Sequence, residues 1–70
     1  MENKNKFKDV LREIRLEKNV SQVKLAEDVG VSKGIISMWE NGQREPTLSS
    51  LVVLADYFGV SLDFLVGREQ

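Results

Sequence analysis

The chain has 70 residues, 41% hydrophobic and 30% charged, with a net charge of −1. That length holds one domain with one small core and leaves little room for a two-layer enzyme with a substrate cleft. With no cysteine, no histidine and one proline, the chain excludes disulfide staples, thiol or imidazole metal ligands and histidine-based nucleophilic triads, so packing must supply its stability.

Phe7, Val10, Leu11 and Ile14 fall at i, i+3, i+4 and i+7, with Lys8, Asp9, Arg12 and Glu13 between them, which predicts an amphipathic helix over 7–18. Asn19 marks its end. The dipeptide Val-Ser then recurs at Val20-Ser21, Val31-Ser32 and Val60-Ser61. A serine at the N-cap accepts a bond from a free backbone N–H, and a valine before it packs on the apolar residue five positions later; those partners are Leu25, Ile36 and Leu65. Three helix starts thus share one local chemistry. Gly30, Asn41-Gly42, Gly59 and Gly67 supply stops suited to left-handed C-caps. Thr47, following Pro46, opens the remaining helix, with an expected buried stripe of Leu48, Leu51, Leu54, Ala55 and Phe58. No strand pattern competes. The expected fold is all-α: one domain over residues 1–70, with helices near 7–18, 22–29, 33–41, 48–58 and 62–66 and no linker.

The connection between the second and third helices is the informative feature. Gly30, Val31 and Ser32 leave a three-residue turn, which forces a steep crossing. Such a crossing needs a small inner residue, a turn residue free to take positive φ and an apolar plug; Ala26, Gly30 and Ile36 fill these roles. Helices one, four and five must then cover the apolar side of the unit. The outward positions of the third helix are Lys33, Gly34, Ser37, Met38 and Asn41, while Ile36, Trp39 and Glu40 turn inward. Gly34 carries two readings of equal weight: close approach of a ligand, or a first-turn position where glycine costs little.

The segments SQ-x-x-LA at Ser21 to Ala26, G-V-S at Gly30 to Ser32, WENG at Trp39 to Gly42, the following Pro46 and FGVSLDFL at Phe58 to Leu65 together resemble the Xre and phage-repressor (Cro/CI-like) helix-turn-helix domain. The resemblance spans almost the whole chain and implies a five-helix, lambda-repressor-like fold, no catalytic site and no cofactor. It implies a transcriptional regulator, by family weighting a repressor, that binds double-stranded DNA through the third helix in the major groove. On this reading Ser32, Lys33, Gly34, Ser37 and Met38 contact bases, with Lys33 suited to guanine O6 and N7 and Met38 to a thymine methyl. Lys33 as a solvated lysine and Met38 as a partly packed residue stay open. Gln22, Asn41, Gln43 and Arg44 would contact phosphates, and Lys4, Lys6 and Lys8 would add diffuse attraction. Glu45 is acidic where the family often carries a neutral or basic residue. The family often pairs an arginine of helix one with the glutamate of the ENG segment, here Arg15 with Glu40, to orient helix three. A single domain covers a half-site, so a homodimer on an inverted repeat is expected, with candidate interface residues Val60, Asp63, Phe64, Val66 and Arg68. Phe64 could equally be buried in the monomer.

Charge is unevenly spread. Residues 1–20 carry six Lys/Arg against four Asp/Glu, residues 21–45 three against four, and residues 46–70 one against three. This suits either two faces of opposite purpose or ordinary solvated helices. The uncharged stretch Thr47 to Ala55 is far shorter than the roughly 20 residues that cross a bilayer, and Met1 to Lys6 is polar, so a cytoplasmic protein is expected. The chain stops at Gln70, three residues beyond the last cap, which fits a minimal regulator or an excised domain. The competing reading is a protein-interaction module, an antitoxin or adaptor on the same fold. No small-molecule ligand, metal or membrane partner is indicated.

Overall fold

The computed structural model describes residues 6–68. Helix α1 spans Phe7–Glu17, α2 Gln22–Val29, α3 Lys33–Glu40, α4 Leu48–Phe58 and α5 Leu62–Leu65. No strand occurs among the described residues. Four of the five starts are capped by a hydroxyl. Ser21 Oγ accepts from the Lys24 N–H at 2.9 Å, Ser32 Oγ from Ile35 at 3.1 Å, Thr47 Oγ1 from Ser50 at 3.1 Å and Ser61 Oγ from Phe64 at 2.9 Å. Each such cap satisfies one donor of the first turn and is worth about 1 kcal/mol. Helix α1 begins differently: the Lys6 N–H donates to the Val66 carbonyl at 2.9 Å, tying the start of the described chain to the end of α5.

All five helices also close alike. The N–H of Val20, Val31, Gln43, Val60 and Arg68 reaches back five residues to the carbonyl of Arg15, Ala26, Met38, Ala55 and Asp63 at 2.9–3.0 Å. Each bond requires a left-handed residue just before the donor, and those residues are Asn19, Gly30, Gly42, Gly59 and Gly67. Helices α1, α3 and α5 end one residue earlier than the pattern predicts, because Lys18, Asn41 and Val66 sit near φ −90°, ψ 0° as the chain turns into that left-handed residue. Val20, Val31 and Val60 therefore serve two helices at once. Their N–H groups close the preceding helix, while their half-buried side chains pack against the core beneath the next. The apolar residue five positions on, Leu25, Ile36 or Leu65, is fully buried in each case.

The core joins Phe7, Leu11 and Ile14 of α1 to Leu25 and Ala26 of α2, Ile36 and Trp39 of α3, Leu54, Ala55 and Phe58 of α4, and Leu65 of α5. The Phe7 and Trp39 rings meet edge to face at 6.2 Å, which makes Trp39 a packing residue. One expectation for α4 is corrected. Leu48 does not join its buried stripe but is 69% exposed, and Leu51 is only half-buried. A helical Cβ points towards the N-terminus, so the side chain of the first helical residue hangs beyond the end of the helix and misses the core that the following turns reach.

Candidate nucleic-acid interface

The exposed side of α3 is positioned by a polar network beneath its C-terminal end. Arg15, in the last turn of α1, donates from Nε to Glu40 Oε2 at 2.6 Å, from Nη2 to Glu40 Oε1 at 2.9 Å and from Nη1 to the Val20 carbonyl at 2.9 Å. Gln22, the first residue of α2, donates from Nε2 to the same Glu40 Oε1 at 3.1 Å. One carboxylate therefore holds the end of α1, the start of α2 and the end of α3 together. Arg15 and Glu40 are each 8% exposed, and among the described residues no buried side-chain polar atom lacks a partner. The bonds that Arg15 donates to Glu40 raise the Arg15 pKa above its usual value, against the opposing pull of burial. A desolvated pair of this kind adds little net stability over an apolar replacement. Its geometry is directional, however, and removing one partner strands a buried charge.

Around this anchor, Ser32, Lys33, Gly34 and Asn41 are exposed and Ser37 and Met38 half-buried, all on the outward side of α3, while Ile36, Trp39 and Glu40 are buried. Asn41 Nδ2 lies 3.5 Å from Ser37 Oγ, at the long limit of a hydrogen bond, so both groups stay available to an outside partner. A methyl group at Gly34 would meet nothing nearer than Ser32 Oγ at 3.8 Å, and Gly34 does not have positive φ, so nothing inside the chain requires glycine there. Gln43 and Arg44 are exposed in the segment after α3. Gln22 is half-buried, and its amide nitrogen, expected to face phosphate, already spends one N–H on Glu40. Lys4 lies outside the described residues.

The residues singled out on and around α5 divide in two. Val60 and Val66 are half-buried, Val60 against the chain's own core, whereas Asp63, Phe64 and Arg68 are exposed, Phe64 by 40%. Exposed apolar side chains extend further than the sequence reading proposes, to Leu62 beside Phe64 and to Val52, Val53 and Tyr57 on α4. The signal was present: the run Leu51 to Ala55 is apolar over more of the helix than a single buried stripe needs. A second link also escapes the sequence. The Tyr57 hydroxyl donates to Asp28 Oδ2 at 2.6 Å, and Lys24 Nζ lies 3.2 Å from Asp28 Oδ1, which clips α2 to α4. The tyrosine bond lowers the Asp28 pKa, with Lys24 acting in the same direction, and raises that of Tyr57. The Lys24–Asp28 spacing of four is legible in a helix; a partner 29 residues away is not.

Among the described residues, no cluster of acidic side chains could hold a metal ion, and no helix is long and apolar enough to cross a membrane.

Comparison with known proteins places this geometry. A family described as helix-turn-helix matches residues 11–65. The chain is 38% identical over 64 residues to the HTH-type transcriptional activator BcrR of Enterococcus faecalis, covering 91% of this chain and 31% of BcrR. It is 35% identical over 63 residues to the cryptic phage CTXphi transcriptional repressor RstR of Vibrio cholerae, covering 90% of this chain and 56% of RstR. Among solved structures, the P22 c2 repressor in complex with a synthetic operator superposes with a TM-score of 0.84 at 30% identity, covering 90% of this chain and 96% of that one. The chain spans roughly a third to a half of the length of the two curated relatives.

Proposed function

The chain belongs to the helix-turn-helix family of the Xre and phage-repressor type, and from that premise we propose that it is a sequence-specific transcriptional regulator acting on double-stranded DNA. The observation that carries the reading is the outward side of α3: exposed Lys33 and Gly34 beside half-buried Ser37 and Met38, set by the Arg15–Glu40–Gln22 network that fixes the helix relative to α1 and α2. An α-helix fits the major groove, and rigid placement is what base readout demands. Ser32, Lys33, Gly34, Ser37 and Met38 read base edges in this account. Asn41, Gln43, Arg44 and the remaining amide N–H of Gln22 hold phosphates and set register. The protein acts in the cytoplasm, as a homodimer through the exposed part of α5 and the neighbouring side of α4, on an inverted repeat whose half-sites lie about 34 Å apart. Repression is the direction we assign, since RstR and P22 c2 are repressors, although BcrR is an activator.

One observation favours a second reading, the protein-interaction module: Leu48, Val53 and Phe64 are apolar and 40–69% exposed. Selection of bound duplexes from a random pool by the purified chain separates the two. Enrichment of a two-fold symmetric motif, with affinity falling steeply as salt rises, is the expected result. A folded protein that enriches no motif would overturn the DNA reading in favour of the interaction module.

A further inference from the structure

We propose that Lys8 is a dedicated phosphate-binding residue of the DNA-facing side, seated there because Gly42 has no side chain. The inference rests on the DNA reading above and adds to it a residue from α1. Two contacts fix the register of α1 along α3: the Phe7 ring against Trp39, and Arg15 against Glu40. Lys8, next to Phe7, is thereby brought over the turn that closes α3. A Cβ built on Gly42 would lie 2.9 Å from Lys8 Cδ and 3.5 Å from Cε, so the lysine stem crosses the turn through the space that a side chain would fill. Gly42 is also left-handed, at φ 75°, so another residue there would be strained, and its Cβ would push the flexible end of the lysine stem off the turn. With its Cε beside Gly42, the stem ends next to the segment that holds Asn41, Gln43 and Arg44, residues already assigned to phosphate.

Two further facts fit this role. Among the described residues, the one carboxylate in contact with the Lys8 ammonium is Asp9, at 3.3 Å, with side chains 52% and 62% exposed. A pair so exposed is worth little and is readily exchanged for a phosphate. The stem lying against backbone also restricts the lysine before binding, which reduces the ordering cost on contact. Lys24 is the natural comparison: it carries the same charge, but it is directed to Asp28, the residue that Tyr57 of α4 also binds.

The test uses the duplex obtained by selection, titrated across about 50 to 200 mM salt with wild type, Lys8→Ala, Lys8→Arg and Lys24→Ala. Lys8→Ala is expected to weaken binding to all sequences alike, roughly five- to ten-fold at moderate salt, and to make the logarithmic salt slope shallower by about 1. Lys8→Arg and Lys24→Ala should keep the wild-type slope. Replacing single phosphates by neutral methylphosphonates should then reveal one position that weakens wild type and leaves Lys8→Ala unaffected. An unchanged slope in Lys8→Ala, or a fall in melting temperature with binding intact, would overturn the inference and make Lys8 a cation at the α3 terminus only. If wild type itself shows no salt-dependent duplex binding, the DNA reading has failed and Lys8 falls with it.

Discussion

The outward sides of α3 and of α4 with α5 are both built by amphipathic helices over one core, yet they expose opposite chemistry. On α3 the exposed outward positions are Lys33 and Gly34, flanked by the exposed caps Ser32 and Asn41, with Ser37 and Met38 half-covered. On α4 and α5 they include Leu48, Val52, Val53, Leu62 and Phe64, with Asp56 and Asp63 among them. The first side offers donors to a charged, hydrated groove; the second offers apolar area and negative charge, which suits a protein and repels phosphate. Their anchoring differs too. The end of α3 rests on a buried bidentate ion pair, whereas the polar link shown between α2 and α4 is the exposed Tyr57–Asp28 bond.

The largest expected effect lies beneath α3. Glu40→Ala strands the Arg15 guanidinium and should cost about 3 kcal/mol of folding stability, measured by chemical denaturation. The cycle completed with Arg15→Ala should show coupling of about 1 kcal/mol or more, and strict additivity would deny that the two act as a pair. Next come the groove positions. Lys33→Ala and Met38→Ala should each shift which sequences are preferred, by about 1 to 3 kcal/mol per specific contact, while Arg44→Ala weakens all sites together. Equal weakening by all three, read in competition binding, would remove the distinction between base and phosphate contacts.

On the other side, Phe64→Ser should change monomer stability by only about 1 kcal/mol, because the ring is already 40% exposed, yet it should weaken self-association in sedimentation and broaden operator binding to higher protein concentration. Unchanged association would move the dimer interface away from α5. The smallest effect belongs to Tyr57→Phe, with an expected fall in melting temperature of about a degree or two. Its pH dependence is specific. The depressed Asp28 pKa means a contribution present above the ordinary carboxylate range and lost as pH falls through it; the raised Tyr57 pKa means one present below the ordinary tyrosine value and lost as pH rises past it. The difference between wild type and Tyr57→Phe should therefore be flat near neutrality and vanish at both extremes, and a difference that persists at both would refute the bond's role.

By itself, the sequence determined what is decided within a few residues. The hydroxyl caps at Ser21, Ser32, Thr47 and Ser61 and the left-handed stops at Gly30, Gly42 and Gly59 are chemistry between neighbours in the chain, so residue type and spacing suffice to place them. The buried apolar positions of α1, Phe7, Leu11 and Ile14, follow from periodicity for the same reason, and Leu25 of α2 from its spacing to Val20. Contacts between distant segments were decided only by the tertiary structure. Arg15 and Glu40 are 25 residues apart, and their pairing is readable in advance only through the family resemblance; Gln22 on Glu40, Tyr57 on Asp28 and Lys8 over Gly42 carry no local signature at all. Leu48 shows the same limit from the opposite direction, since periodicity gives the face of a helix but not where along its length the core begins. A helical pattern specifies direction around an axis. Which neighbour occupies that direction depends on how all five axes pack, and no short window of residues contains that information.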